Sequence, residues 1–309
     1  MNIPYKICFE QPPLAVKQAL PPWHKFAMVN ARNQIHRKFS AAEWCSQVLG
    51  AGPFYLELFE VEVGSDFTFS YEVFADQHFL FFMLEGEVVF TDAYGYFVSK
   101  AKGNQMAFVS NRIGVYRCKL ESGRHTAFCI GFEREWLDLF AAGQEVIENY
   151  LVHYSEMESP MLPYCLLNKQ QAQWLKRLYG ELQKSPGPLD GQLRYYISLI
   201  FDQYTFLVKA KLHEPVWQLR NYLDQHYSSL DLSLQSQANR LGVRLDRLRN
   251  QFKSEFGLSP HQYYTQKRIA KVQFLLRNGK LPLSKIYPQV GYSDESALRY
   301  EMKRFGLIR

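Results

Sequence analysis

The sequence predicts an α+β chain in two parts. An N-terminal β-barrel or jelly roll carrying helices comes first, and an all-α segment with two helix-turn-helix units in tandem follows. Three observations predict it. Apolar and polar residues alternate in short runs from 54 to 132, punctuated by glycine. After Glu133 the apolar period lengthens to that of helices. Finally, residues 232–257 and 282–306 repeat one design: a short helix, a turn and a second helix.

Size and composition bound the reading before any motif. A chain of 309 residues is long enough for two domains with separate cores. With 47% hydrophobic and 21% charged residues, it reads as globular and not disordered. The 23 Phe and 20 Tyr lie mostly in the first half, where they build either an aromatic β-core or an aromatic-lined ligand pocket. Net charge is +6, unevenly placed: residues 216–309 hold 16 Lys+Arg against 7 Asp+Glu, and the rest hold 20 against 23. A basic small domain beside an acidic larger one suits a polyanion partner, although solvated cationic helix faces would give the same balance. The five cysteines, at 8, 45, 118, 129 and 165, form no C-x-x-C pair and are odd in number. That argues against a disulfide framework and a zinc site, and for a reducing cytosol. The first residues lack the basic start and long apolar run of a signal peptide, and runs such as 79–84 are too short to span a bilayer, so a cytoplasmic protein without a membrane partner is expected.

Taken in order, residues 1–50 read as irregular, with Pro12-Pro13 and Pro21-Pro22 excluding helix. Strands are expected at Phe54–Val63, 67–74, 79–90 around a Glu85-Gly86 turn, 94–98, 105–109, 113–120 and 126–132. The hairpin, glycine turn and return strand of 85–108 look like the meander of a cupin-type barrel. Phe69, Tyr71 and Phe82 are candidate inward aromatics for a small apolar or aromatic effector, and core packing explains them equally well. Short helices are expected at 134–142 and 169–182, then a break at Pro186-Gly187-Pro188. A long helix follows, with Leu189, Leu193, Tyr196, Ile200, Tyr204, Leu207 and Lys211 on one stripe widened by Ile197 and Val208. The stripe suits a coiled-coil-like seam between subunits or packing on the barrel. His213-Glu214-Pro215 closes this part, giving expected domains of 1–133, 134–215 and 216–309.

The tandem units carry the chemistry. In the first, Leu232, Leu234, Ala238 and Leu241 form a scaffold helix, and Gly242 supplies a turn that needs positive φ. Leu245, Leu248, Phe252 and Phe256 are spaced for burial, which leaves Arg244, Arg247, Gln251 and Ser254 outward with Asn250 beside them. Such donors read guanine and adenine edges in a major groove. Arg247 and Gln251 are expected to touch bases, and Arg244 and Lys253 phosphates. In the second unit Ser293 is the expected N-cap, Leu298, Met302 and Phe305 the buried stripe, and Ser296, Arg299 and Lys303 the outward face.

From about Val216 to the end, a third of the chain, arrangement and wording resemble the DNA-binding domain of the AraC/XylS family of transcription regulators. The helix between the units carries Tyr263, Tyr264, Arg268-Ile269, Val272 and Leu275-Leu276, close to that family's aromatic, Arg-Leu, small residue and paired leucines. The resemblance implies a sequence-specific, double-stranded-DNA-binding regulator, more often an activator. It also implies a barrel that senses a ligand or dimerises, a homodimer and contact with RNA polymerase. Ser296 and Arg299 would face a second major groove. No cofactor or metal is expected. Four residues depart from the family pattern: Gln237 stands where an apolar residue is usual, Arg244 where a capping Ser is, and Tyr287-Pro288 interrupt the second scaffold helix. A proline there costs ~3 kcal/mol in a helix interior, so distortion of the second unit is expected. The chain also reads as ending at Arg309 without the family's short final helix.

Two rivals follow from these residues. One is a binding module that kept the fold and lost DNA recognition. The other is a cupin-type enzyme, for which His78 and His125 are too isolated to form the required metal cluster.

Overall fold

A computed structural model describes residues 5–154, 161–183, 189–279 and 281–308. The chain divides into two compact units, Met1–Lys211 and Leu212–Arg309. The first is β-rich. Its strands are β1 (Tyr5–Phe9), β2 (Ala15–Lys17), β3 (Asn33–Lys38), β4 (Ala42–Ala51), β5 (Phe54–Val63), β6 (Phe67–Val73) and β7 (Gln77–Glu85). They continue with β8 (Glu87–Asp92), β9 (Phe97–Lys102), β10 (Gln105–Asn111), β11 (Gly114–Leu120), β12 (Gly123–Phe132) and the short β13 (Cys165–Leu166). They form two antiparallel sheets in the orders β1-β6-β11-β8-β9 and β13-β10-β7-β12-β5-β4-β3-β2. Inward residues of both sheets, among them Trp44, Phe67, Phe69, Phe81 and Met83, meet in one core. This is the sandwich-like barrel that strand alternation predicts.

The expectation of an irregular 1–50 is overturned, because β1 to β3 and all but the last residue of β4 lie within it. Alternation is hidden in β4 because both of its faces are covered. Trp44 faces the core, while Gln47 on the other face accepts from Met28 N at 2.7 Å and donates to Phe26 O at 2.6 Å. Glu60 of β5 does the same work, accepting from Lys25 N at 2.8 Å. Polar side chains on that strand face thus supply the backbone partners of an irregular segment lying over it.

The outer face of the larger sheet carries helices α1 (Arg134–Ala141), α2 (Glu145–His153), α3 (Lys169–Glu181) and α4 (Leu189–Leu212). Phe108 meets Phe201 of α4 at 5.0 Å and Tyr150 of α2 at 5.9 Å, and Phe54 meets Trp136 of α1 at 4.9 Å. Helix α2 was not foreseen from sequence, and the Pro186-Gly187-Pro188 break falls outside the described residues. The buried stripe of α4 is Leu189, Leu193, Ile197, Ile200, Phe201, Tyr204, Thr205 and Val208. It packs within the unit, with Tyr204 donating to Pro163 O at 2.9 Å. Tyr196, Leu207 and Lys211 are half-buried, and Lys211 reaches Tyr164 O at 2.7 Å.

Register corrects one expected inward aromatic. Phe82 pairs with Phe128 across β7 and β12, whereas Phe81 pairs with Cys129. Successive residues point to opposite faces, so Phe82 lies on the helix-covered face and only Phe69 and Tyr71 belong to the inter-sheet core. The isolated histidines are satisfied in place. His78 Nδ1 lies 2.6 Å from Ser110 Oγ, and His125 contacts Glu87 N at 3.2 Å and Glu121 O at 2.8 Å. Among the described residues no helix is long and apolar enough to cross a membrane, and no group of His, Cys, Asp or Glu is placed to hold a metal.

The second unit is helical. It comprises α5 (Pro215–His226), α6 (Leu234–Arg240), α7 (Leu245–Phe256), α8 (Pro260–Gly279), α9 (Leu283–Ile286), a 3-10 turn over Tyr287–Val290, and α10 (Glu295–Arg304).

Candidate DNA-binding interface

The first helix-turn-helix unit is α6 and α7. Ser233 caps α6, its hydroxyl accepting from Ser236 N at 3.2 Å. The turn is closed by two backbone bonds, Val243 N to Ala238 O at 3.0 Å and Gly242 N to Asn239 O at 3.1 Å. Together they form a Schellman motif, and Gly242 supplies the required positive φ of 67°. Helix α7 then starts at Arg244, which occupies the N-cap without a side-chain cap bond. Its arginine therefore stays available, at the cost of the ~1 kcal/mol that a capping Ser contributes.

Leu248, Phe252 and Phe256 of α7 are buried, and Leu245 is half-buried. Arg244, Arg247, Asn250, Gln251, Lys253 and Ser254 are all exposed. Among the described residues, none of these six side chains has a protein partner. Gln237, the polar residue at an apolar scaffold position, is 7% exposed, and its Oε1 lacks a donor among the described residues. Such a group costs stability and contributes nothing to the outward face.

A buried charge network holds α5, α7 and α8 together behind this face. Asp224 Oδ1 accepts from Lys267 Nζ and Tyr263 Oη, each at 2.7 Å, and Arg220 Nε donates to Tyr263 Oη at 3.2 Å. Arg220 and Lys267 are only 3% and 8% exposed. The Arg220 guanidinium lies over Trp217, Phe256 and Tyr263 at 5.2, 5.7 and 6.0 Å, so aromatic faces replace part of its lost hydration. Trp217 Nε1 donates to Glu255 of α7 at 3.2 Å.

The second unit departs from the first in the way Pro288 predicts. Helix α9 lasts one turn, and the chain tightens into the 3-10 turn with Pro288 in its first two positions. A missing N–H costs little there, because first-turn donors have no intrahelical partner. The scaffold is thus shortened, and it is re-anchored by Arg268 of α8. Arg268 Nε and Nη2 donate to Tyr227 O at 2.6 Å and Ser229 O at 3.0 Å, and its guanidinium lies between the Tyr264 and Tyr292 rings at 5.0 and 5.2 Å. Burial lowers its pKa, and the neighbouring tyrosines oppose that shift. The side chain therefore ties the end of α5 to the turn of the second unit. The turn itself closes on Gly291 at φ 81°.

One expected cap is corrected. Asp294, not Ser293, caps α10, accepting from Ala297 N at 2.8 Å, while Ser293 Oγ donates to Asp294 Oδ2 at 3.0 Å. The carboxylate accepts charge-assisted bonds where a hydroxyl gives weaker ones, and those bonds hold its pKa below the usual range. Leu298 and Met302 are buried and Phe305 is half-buried, which leaves Ser296, Arg299 and Lys303 exposed. Arg299 is not free: Nε and Nη2 bind Glu295 Oε1 at 2.8 and 2.6 Å. Sequence reasoning did not single out Tyr300, 69% exposed near the middle of this outward face. Its position two residues beyond Leu298 and two before Met302 could have revealed it.

Comparison with known proteins follows this geometry. Residues 237–306 match a family model described as a helix-turn-helix domain. No curated protein matches the chain. Among solved structures, the chain is similar to the C-terminal domain of AraT, a response regulator from Geobacillus stearothermophilus. The identity is 31% over 30% of this chain and 78% of that one, with a TM-score of 0.29. It is similar to the C-terminal domain of the two-component response regulator yesN from Fusobacterium nucleatum, at 26% identity over 30% and 95%, with a TM-score of 0.28. It is also similar to unsaturated fatty acid bound ToxT from Vibrio cholerae, at 12% identity over 83% and 93%, with a TM-score of 0.35. With its two units spaced by α8 and the matched segment spanning both, residues 237–306 form an AraC-type helix-turn-helix domain.

Proposed function

We propose that this regulator is sequence-specific and activates transcription, with α7 and α10 entering successive major grooves of one duplex. One observation carries the reading. The outward face of α7 presents Arg244, Arg247, Asn250, Gln251 and Lys253 with no partner among the described residues. Cations of a merely solvated helix face commonly pair with acidic neighbours, as Arg299 does with Glu295. In this reading Arg247 and Gln251 contact bases, Arg244 and Lys253 hold phosphates, and Asn250 supports them. Ser296, Arg299 and Lys303 approach the second groove, where Arg299 must first leave Glu295.

The test is binding of Arg247→Ala and Arg299→Ala to a site selected from random duplexes, titrated with salt. Loss of a bidentate base contact costs about 1–3 kcal/mol, and Arg247→Ala is expected to weaken specific binding by that amount. Arg299→Ala is expected to cost less, because an exposed helix ion pair worth about 0.3–0.5 kcal/mol already competes for its side chain. Each phosphate contact adds roughly −0.9 to the salt slope. The reverse order of the two variants refutes the assignment, and failure to enrich any sequence refutes sequence-specific binding.

For the rest of the chain we propose a barrel over 1–133 that senses a small effector, a helical connector over 134–215, and the DNA-binding part over 216–309. An effector regulates only if it binds two arrangements unequally. Phe69 and Tyr71 face the inter-sheet core where such a molecule would sit. A homodimer is proposed through the outer face of α4, where Tyr195 and Phe206 are 58% and 70% exposed and lie eleven residues apart, close to three helical turns. RNA polymerase is the expected partner at the promoter.

A further inference from the structure

Glu57 lies on β5 opposite Cys129 of β12 and is 5% exposed. Two hydroxyls reach it, Tyr55 at 2.6 Å and Tyr5 from β1, and both donate to the same oxygen, Oε2. Oε1 has no donor among the described residues. The groups facing the carboxyl are Tyr5 from β1, Arg37 from β3, Tyr55 on its own strand and Cys129 from β12. Burial pushes the Cys129 thiol up, so it stays neutral. Arg37 lies over the Phe9 ring at 5.6 Å and feels the carboxylate charge without forming an ion pair with it. A buried carboxyl served mainly by neutral hydroxyls is under-compensated, and burial raises its pKa to about 7 against the lowering effect of Tyr5, Tyr55 and Arg37.

The surroundings are aromatic and only partly buried. Tyr5 meets Tyr71 edge-on at 6.1 Å, and Tyr71 stacks on Tyr116 at 5.2 Å. The inward residues Ile7, Phe59, Tyr71 and Phe79 are only partly buried, although they pack against the inter-sheet core. On the other face of the larger sheet, Leu80, Phe82 and Phe108 are 0% exposed. A filled sandwich would bury its inner layer as completely as its outer one. These inward side chains therefore keep part of their surface accessible, on the same sheet face as a carboxyl oxygen that lacks a donor among the described residues.

We propose that this site binds a small organic cation, its ammonium group against Glu57 Oε1 and its hydrocarbon body on the Tyr5 and Tyr71 rings. The inference rests on the effector-sensing reading of the barrel and gives that effector a charge. One N–H of an ammonium satisfies Oε1, and the tyrosine faces attract the same charge. An anionic effector would meet the buried carboxylate and be repelled.

The test is calorimetric titration of the full chain with 2-phenylethylamine, n-butylamine, 2-phenylethanol and 3-phenylpropanoate. The amines are expected to bind, and the alcohol and the acid to bind at least roughly tenfold more weakly. From pH 6 to pH 8 amine affinity is expected to rise roughly tenfold, because Glu57 loses its proton near pH 7 while the ammonium keeps its own. Glu57→Gln retains an oxygen for the tyrosine hydroxyls, and it is expected to abolish both amine binding and its pH dependence. Should that variant fail to fold, the pH profile of the wild-type protein decides. The proposal is overturned if neither amine binds at millimolar concentration, if the alcohol binds as well as its amine, or if Glu57→Gln binds amine like the wild type. Tight binding of 2-phenylethanol alone would leave effector sensing standing and remove only the charge. Absence of duplex binding by the same protein would strike the regulatory reading and leave the amine site intact.

Discussion

Removing Asp224 withdraws one carboxylate from two buried cations at once, which makes the magnitude open to estimate. In the native unit its Oδ1 lies 2.7 Å from Lys267 Nζ, and its Oδ2 lies 3.8 Å from Arg220 Nη2. Breaking a buried pair by deleting one partner costs about 3–5 kcal/mol, because the remaining charge stays desolvated. Two features moderate this. The Asp224 side chain is 24% exposed, so water can enter the vacated space, and Lys267 retains the Tyr227 and Tyr263 faces at 5.6 and 5.7 Å. Asp224→Ala is therefore expected at the lower end, about 3 kcal/mol. The loss is read as hydrogen-exchange protection of α7 and α8 amides in the full chain, which isolates this unit from the barrel. A second variant sharpens the test. Asp224→Ala combined with Lys267→Met removes one of the two cations that lost this carboxylate, so part of the lost protection is expected to return. A loss below about 1 kcal/mol, or a double variant at least as weak as the sum of its single changes, refutes the argument that desolvated charge dominates here.

Two further outcomes follow from the geometry. Gly291→Ala is expected to destabilise the second unit by about 3 kcal/mol or more, because φ is 81° and the new Cβ would lie 2.7 Å from Ser228 O and 2.8 Å from Arg268 Nη2. Gly242→Ala, at φ 67° with open space around it, is expected to cost only about 1–2 kcal/mol, and equal losses in exchange protection would contradict this. His78 is held neutral to about pH 4, chiefly by burial and secondarily by Arg134. Its folded pKa is below the unfolded one near 6.5, so the stability it contributes is complete above that value. It is lost as pH falls from 6.5 towards 4, by about 3 kcal/mol in all. His78→Gln is expected to flatten that limb of the stability–pH curve in urea titrations, and an unchanged limb would show that another group causes it.

Much of the chain was legible because its periods are local properties. Leu248, Phe252 and Phe256 at spacings of four define the inner side of α7 without reference to any other element, and the outward side follows from them. The α4 span could be read in the same way, as could β5 to β8 and β10 to β12, whereas β9 lies three residues later than its expected start and β13 was not foreseen. Where a residue's partner lies far along the chain, local pattern fails. Cys45, Ser46 and Gln47 of β4 look like loop composition, yet the inter-sheet core covers one face of that strand and the segment near Met28 the other. Phe82 and Phe81 are indistinguishable as letters, and only the register with β12 decides which of them faces the other sheet.

The amino-acid order alone determined which helix faces can be outward, where the two turns fall, and that Pro288 must interrupt a helix, since these depend on bonds and spacings within a few residues. The tertiary structure alone decided that Arg247 stands without a partner among the described residues while Arg299 is held by Glu295, that Arg268 reaches the backbone about forty residues before it, and that Glu57 is enclosed among hydroxyls. Those outcomes depend on which charges and rings folding brings within a few ångströms, and the energy of a charge is set by what surrounds it.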